Sequence, residues 1–236
     1  MIVISETMRN LLAGNRRLPQ DRFAVIPNWI DESQFPVWNG ERAWRRSQGI
    51  PDSAVVALFA GTLGHVSGAE VLVDVARRLS GMPGILILCI GEGVRKQAMV
   101  EEASRLGLKN IRFLPFQPSQ RVPEVQASCD LALLTIHPDS SDSSVPSKLI
   151  SYLAASLPII CAANTESAVA RTLIDAKAGI VVRQGDAHAI ADAVLQLNDY
   201  RLKGGRFLLR LKVAGLRLKP PQEGPAQSRL KARSAL

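Results

Sequence analysis

Six short, continuous apolar runs alternate with segments whose apolar residues recur at helical spacing. A strand that is apolar throughout is typical of a parallel sheet buried on both faces. Strands are therefore predicted at Val55–Ala60, Ile85–Ile90, Ile111–Leu114, Leu131–Ile136, Pro158–Ala162 and Gly179–Val182. Helices are predicted between and after them, at Ala69–Ser80, Arg95–Leu106, Val122–Ser128, Ser147–Ala155, Ala168–Ala176 and Ala187–Leu197. This alternation predicts an α/β fold with a doubly wound parallel sheet.

The first 31 residues precede this regular pattern. Residues 2–5 are interpreted as the end of a strand that leads into a helix capped by Ser5, and Phe23–Ile26 as a further short strand. A first strand and helix without a sheet of their own suggest the remnant of a preceding domain. We expect residues 1–31 to be this remnant with a linker, residues 32–200 to be the α/β domain, and residues 201–236 to be a tail.

Charge separates the tail from the rest of the chain. The formal net charge is +8, but residues 201–236 contain ten Lys or Arg and one acid, which leaves 19 basic and 20 acidic residues before them. The tail is predicted to be poorly ordered, with peripheral contact to an anionic membrane as the alternative. No nucleic-acid-binding motif accompanies its charge, so nucleic acid is not expected as a partner. Cys89, Cys129 and Cys161 share no metal-binding spacing and are predicted to be buried, reduced thiols of a cytoplasmic protein.

Three loops that follow predicted strands carry candidate chemistry. Ligands of open α/β sheets bind at the carboxyl ends of the strands, where glycines let backbone amides approach a phosphate and helix N-termini favour its charge. The first loop begins at Gly61, the second contains Gly91 and Gly93, and the third leads to Ser147 and Lys148 at a helix start, where Ser143 and Ser144 are candidate caps. Together they predict a site for a phosphate-bearing ligand.

The order of the motifs resembles the family 4 glycosyltransferases of the GT-B fold, especially their bacterial exopolysaccharide and colanic-acid branch. The resemblance covers about residues 5–199 and rests on PNWID, GTLG, IGEG, LGLKNIRFLPF, VPSK with YLAAS, and GIVVRQGD. It implies that the chain is the C-terminal, Rossmann-like, nucleotide-sugar-binding half of a two-domain retaining transferase. It also implies that the enzyme needs no cofactor and no protein-bound metal.

Residue positions follow from the same resemblance. In that family the first glycine loop and the residues after GEG lie near the donor diphosphate, the FLPF loop borders the base, and the VPSK helix faces ribose and sugar. The implied donor-binding residues are Gly61, Thr62, Leu63, Gly64, His65, Gly91, Gly93, Arg95, Leu114, Pro115, Ser147, Lys148, Ser151 and Glu166. No catalytic residue is assigned.

The chain departs from the family pattern at several of these positions. His65 stands near the place where many members carry a basic residue, and Ser143 and Ser151 stand where many carry glutamates. Because ribose hydroxyls prefer a carboxylate acceptor, Ser151 is predicted to weaken donor recognition. Ser156 replaces a glycine that would relieve a left-handed conformation.

Single residues leave alternatives open. His65 is either a phosphate contact or an ordinary loop histidine, and Lys148 either a donor contact or a solvated helix residue. Glu166 either contacts the donor or caps a helix. His137, Asp139 and Asp142 lie in a Ser- and Asp-rich loop and are not predicted to bind a metal.

The expected function is transfer of a sugar from a nucleotide-sugar, in particular a UDP-sugar, to a polysaccharide or lipid-linked acceptor. The acceptor domain is expected to be missing or to lie on a separate polypeptide. The alternative is a non-catalytic nucleotide-sugar-binding fragment or partner module. A nucleotide-sugar epimerase is disfavoured by the PNWID and VPSK motifs. The expected location is cytoplasmic, with peripheral contact at the inner face of the membrane.

Overall fold

A computed structural model describes residues 1–35, 42–140 and 146–202. Its first part is a small unit of strand β1 (Ile2–Val3), helix α1 (Glu6–Arg16) and strand β2 (Ala24–Val25). Ser5 caps α1 as predicted, because its side chain accepts a hydrogen bond from the Met8 amide at 3.0 Å. The prediction that the first strand lacks a sheet is wrong, because β2 pairs with β1 in parallel.

The main sheet confirms the predicted α/β class. Its six strands are all parallel and lie in the order β5-β4-β3-β6-β7-β8. The strands are β3 (Val55–Ala60), β4 (Ile85–Ile90), β5 (Ile111–Leu114), β6 (Leu131–Thr135), β7 (Ile159–Ala162) and β8 (Gly179–Val182). Each bound lies within one residue of its prediction. The direction of winding reverses between β3 and β6, which is the doubly wound arrangement.

Helices cover both faces of this sheet. They are α2 (Ala43–Ser47), α3 (Val71–Arg78), α4 (Lys96–Arg105), α5 (Val122–Ala127), α6 (Ser147–Ala154), α7 (Ala168–Asp175) and α8 (Ala187–Leu202). Apolar residues of α3, α4 and α8 pack on one face against Val55, Ala57 and Phe59. Those of α2, α5, α6 and α7 pack on the other face around Val56 and Leu58. Alternate residues of β3 thus serve two cores, which is why the strand is apolar throughout.

Further sequence predictions concern the cysteines, the tail and the loop before α6. The three cysteines are buried, as predicted. The predicted tail beyond position 202 lies outside the described residues. Ser143, Ser144 and Asp142 also lie outside them. Within the described ranges, no helix combines the length and apolar character needed to cross a bilayer.

Candidate functional site

A cavity of about 700 Å³ opens at the carboxyl edge of the sheet, where the strand order reverses. Strands β3 and β6 pair at only two positions, Ala57 with Leu131 and Leu58 with Ala132, although both strands continue beyond them. The strands therefore separate toward their carboxyl ends. This separation is the position at which doubly wound sheets bind their ligands.

The second glycine loop, which contains Gly91 and Gly93, packs against the backbone of the first glycine loop. Gly91 and Gly93 have φ values of 156° and 154°. A Cβ atom at Gly91 would overlap the carbonyl oxygen of Gly61, and one at Gly93 would overlap that of Leu63. Leu63 also exchanges backbone hydrogen bonds with this loop, at 2.9 and 3.0 Å. These glycines therefore serve close backbone packing, and they do not line the cavity.

Residues at the end of β6 and just after it also form hydrogen bonds with the first glycine loop. The Thr135 hydroxyl donates to the Ser67 carbonyl at 2.7 Å, and the His137 amide donates to the Val66 carbonyl at 3.0 Å. Residues 65–67 form a 3₁₀ turn at the cavity mouth. Contacts with the second glycine loop and with the β6 segment therefore fix the first glycine loop, whose Gly61 end lines the cavity.

Helix α6 brings the VPSK motif to the cavity. Pro146 occupies the N-cap position of the helix. Tyr152 is fully buried, and its hydroxyl accepts a hydrogen bond from the Ala60 amide at 2.7 Å. The hydroxyl thereby connects α6 to the end of β3, beside the separation of β3 from β6. Ser156, just beyond the helix, has a φ of 56°, the left-handed conformation predicted there.

Lys148 is a half-buried cation in this cavity. Its Nζ lies 4.0 Å from the centroid of the Phe59 ring and 3.0 Å from the position that a Cβ at Gly61 would occupy. Burial lowers the pKa of Lys148 from 10.5 to about 8. Among the described residues, no carboxylate pairs with this ammonium group. The arrangement favours an anionic partner from outside the chain.

A neutral polar pair lies one helical turn further along α6. Gln126 of α5 is 3% exposed, and its Nε2 and Oε1 lie 2.6 and 3.0 Å from the Ser151 Oγ. Both residues line the cavity, beside an apolar wall that includes Phe116 and Val125. Sequence reasoning missed Gln126. The sequence did contain a signal for it. Gln126 follows Val122 by four residues on the predicted helix, and it therefore lies on the helix face that carries Val125.

The predicted donor-binding residues divide into two groups. Those that line the cavity are Gly61, Thr62, Gly64, His65, Ser147, Lys148 and Ser151. Those that do not are Leu63, Gly91, Gly93, Arg95, Leu114, Pro115 and Glu166. For the FLPF loop the structure shifts the lining by one to three residues, because Phe116 and Gln117 line the cavity in place of Leu114 and Pro115.

Two of the residues outside the cavity have other structural surroundings. Arg95 forms an ion pair with Glu70 at 2.9 Å, so its charge is already partly neutralised. Glu166 is exposed and is not the helix cap, because the Ser167 hydroxyl accepts from the Ala170 amide and caps α7. In the described ranges, no group of three His, Cys, Asp or Glu side chains is arranged to hold a metal ion.

A doubly wound parallel sheet with a lysine-lined cavity at its switch point defines a Rossmann-like α/β domain with its cavity where such sheets bind ligands. The chain belongs to the glycosyl transferases group 1 family, whose family model matches residues 40–203. It is 28% identical over 153 residues to WcaI of Escherichia coli (strain K12), named for colanic acid biosynthesis, and this match covers 64% of the chain and 37% of WcaI. The chain spans between 30% and 51% of the length of the curated relatives it matches.

Solved glycosyltransferases share the fold. The Anabaena protein Alr3699/HepE, solved in complex with UDP-glucose, superposes with a TM-score of 0.75 at 16% identity, over 100% of this chain and 63% of that one. The C-terminal domain of LpcC from Francisella tularensis superposes with a TM-score of 0.59 at 19% identity, over 79% of this chain and 93% of that domain. These similarities show that the α/β domain shares the fold of GT-B glycosyltransferase domains.

Proposed function

We propose that this domain binds the nucleotide-sugar donor of a glycosyltransfer reaction and that the switch-point cavity is the donor site. The observation that carries the proposal is Lys148, a half-buried cation facing the first glycine loop without a carboxylate partner among the described residues. Such a group is electrostatically unfavourable unless an anionic ligand offsets its desolvation. Family membership supplies the reaction class, sugar transfer.

The proposed diphosphate lies in the cavity beside Lys148 and the Gly61 loop, which contact each other. The first amides of α6 carry the positive end of the helix dipole and add to the lysine charge. The apolar lining with Phe116 suits a nucleobase, and the lining near His65 is the proposed place of the transferred sugar. A UDP-sugar is the proposed donor, which the fold similarity to the Anabaena protein solved with UDP-glucose supports.

The chemical contribution of the site is stabilisation of the leaving diphosphate. The bond between the anomeric carbon of the sugar and the diphosphate oxygen breaks, and the acceptor hydroxyl oxygen bonds to that carbon and loses its proton. Negative charge develops on the leaving diphosphate, which Lys148 and the α6 amides would stabilise. We propose a retaining transfer of the family 4 type. The proposed acceptor, a polysaccharide or lipid-linked sugar, is bound by a second domain that faces this cavity.

Calorimetric titration with UDP and UDP-glucose tests the donor site. The wild-type protein should bind both, and Lys148→Met should weaken binding by about 10- to 100-fold, because a hydrogen-bonded charge contact is lost. Lys96→Met is the matched control, since Lys96 lies outside the cavity and pairs with Glu92 at 2.6 Å. If the folded wild-type protein bound neither nucleotide, the proposal would be wrong.

A further inference from the structure

The walls of the cavity come from two halves of the main sheet. One half is β5-β4-β3, in which β3 pairs with β4 at six positions, and the other is β6-β7-β8, in which β6 pairs with β7 at four. Between the halves, β3 and β6 pair at only two positions. The Gly61 loop extends from the first half, whereas Lys148 lies on α6, which follows β6 in the second. The relative orientation of the halves therefore determines how the two walls are placed.

Asp130, the residue before β6, extends the contact between the halves at the amino edge of the sheet. Its amide donates to the Val56 carbonyl at 3.0 Å, and its Oδ2 accepts a hydrogen bond from the Val56 amide at 2.8 Å. The side chain thus takes the place of a backbone acceptor and continues the pairing of β3 with β6. Strand β3 rises by about 13 Å over the four residues after Val56 that lead to Ala60 at the cavity. Asp130 and the cavity therefore lie at opposite ends of the short paired stretch.

Arg45 of α2 holds the Asp130 carboxylate in this position. Its side chain is fully buried, and its Nη1 donates to the Asp130 Oδ2 at 3.0 Å. Arg42 pairs with the other carboxylate oxygen at 2.8 Å. The Arg45 guanidinium also donates to the carbonyl of Pro51, at 2.7 and 3.0 Å, and to that of Ala54, in the segment that leads into β3. Arg45 therefore connects the segment before β3 with the residue before β6, and its planar guanidinium fixes the directions of these hydrogen bonds.

We propose that Asp130, held by Arg45, is a positioning residue of the donor site. It fixes the angle between the two halves of the sheet and thereby the placement of the Gly61 loop relative to Lys148. This inference rests on the proposed function of the cavity. When the contact at the amino edge is lost, the halves can rotate about the two positions at which β3 and β6 still pair. Because both walls contact one ligand, a small displacement of one wall weakens their joint contact with it.

Calorimetric titration of UDP into folded Asp130→Asn tests the inference. Asparagine keeps the size and one acceptor oxygen, but it lacks the charge with which the two arginines pair. UDP binding should weaken by about tenfold, although position 130 does not line the cavity. Asp74→Asn is the matched control, because Asp74 pairs with Arg77 at 3.1 Å on the surface, outside the cavity. This control should bind UDP as tightly as the wild-type protein does.

A second control separates positioning from stability. Val194 of α8 is fully buried and lies outside the cavity lining, so Val194→Ala should lower the free energy of unfolding without loosening the amino edge of β3 and β6. At a temperature at which circular dichroism shows both variants to be folded, Val194→Ala should retain the wild-type affinity for UDP and Asp130→Asn should not. Lower stability alone does not produce this difference, because a fully folded variant with an intact site binds UDP normally.

The double variant Asp130→Asn/Arg45→Met covers the case in which Asp130→Asn does not fold, because it also removes the buried charge that would be left unpaired. It should bind UDP about tenfold more weakly than the wild-type protein, since the same contact is lost. If either folded variant binds UDP as tightly as wild type, or if Val194→Ala weakens binding as much, the positioning proposal is overturned and the donor site stands. If the folded wild-type protein does not bind UDP, both proposals are overturned.

Discussion

Replacing Lys148 by methionine should stabilise the ligand-free protein, although it removes the proposed diphosphate contact. Burial lowers the pKa of Lys148 from 10.5 to about 8 in the folded state. A tenfold change in an acid dissociation constant corresponds to about 1.4 kcal/mol, so the buried charge destabilises the folded state at pH 7 by about 3 kcal/mol. The Phe59 ring, 4.0 Å away, offsets about 1 kcal/mol of this through a cation–π contact. The free energy of unfolding of Lys148→Met is therefore expected to exceed that of the wild-type protein by about 2 kcal/mol.

The gain should depend on pH in a defined direction. The folded protein releases the Lys148 proton near pH 8 and the unfolded chain near pH 10.5. Between these values the unfolded chain holds more protons, so raising the pH stabilises the wild-type fold relative to the variant. We expect the difference in unfolding free energy to fall from about 2 kcal/mol at pH 7 to about 1 kcal/mol at pH 9.5.

Urea denaturation of both proteins at the two pH values measures this difference. Lys96→Met serves again as the control and should show no comparable gain. Added UDP should raise the unfolding midpoint of the wild-type protein and leave that of Lys148→Met almost unchanged. A variant less stable than wild type at pH 7, or an equal difference at both pH values, would refute the reasoning.

Two further substitutions test the framework of the site. Gly91→Ala should lower the free energy of unfolding by more than about 2 kcal/mol, because the new methyl group would overlap the Gly61 carbonyl; Gly81→Ala, whose methyl would meet no atom within 4 Å, should change it by less than about 0.5 kcal/mol. Tyr152→Phe removes the acceptor of the Ala60 amide and should lower it by about 1–2 kcal/mol, with weaker UDP binding in calorimetry. Chemical denaturation measures the free energy of unfolding of both variants. If Gly91→Ala or Tyr152→Phe were as stable as the wild-type protein, the contact assigned to that residue would be contradicted.

The sequence was sufficient to predict the main sheet because its signal is local. Each central strand is a continuous apolar run followed by a turn or loop, and burial on both faces produces that pattern. The pairing of β1 with β2 escaped prediction, because strands of two residues carry no periodicity. Helix α8 extends five residues beyond the predicted Leu197, where the apolar pattern weakens before the basic tail.

The sheet-edge rule indicated three loops, of which the first and the third contribute residues to the cavity and the second does not, and it could not assign the residues within them. Whether a glycine lines the cavity or supports another loop depends on packing between segments about 30 residues apart, as for Gly91 and Gly61. The contact between Gln126 and Ser151 spans 25 residues, and the ion pair between buried Arg45 and Asp130 spans 85. Such contacts follow from tertiary geometry, which no local motif in this chain encodes.

The neutral pair and the low pKa of Lys148 are connected. None of the described residues that line the cavity is Asp or Glu. A carboxylate at position 151 would lie one helical turn from Lys148, would pair with it and would raise its pKa, and this would weaken the positive potential available to a diphosphate. Ser151 and Gln126 form a neutral hydrogen-bonded pair, which leaves the Lys148 charge without that pairing. That a serine at this position weakens donor recognition stays a prediction. Because no described residue of the cavity lining is a carboxylate, the half-buried charge of Lys148 destabilises the fold, and an anion bound beside it should raise the free energy of unfolding; stability and ligand affinity are thereby coupled through Lys148.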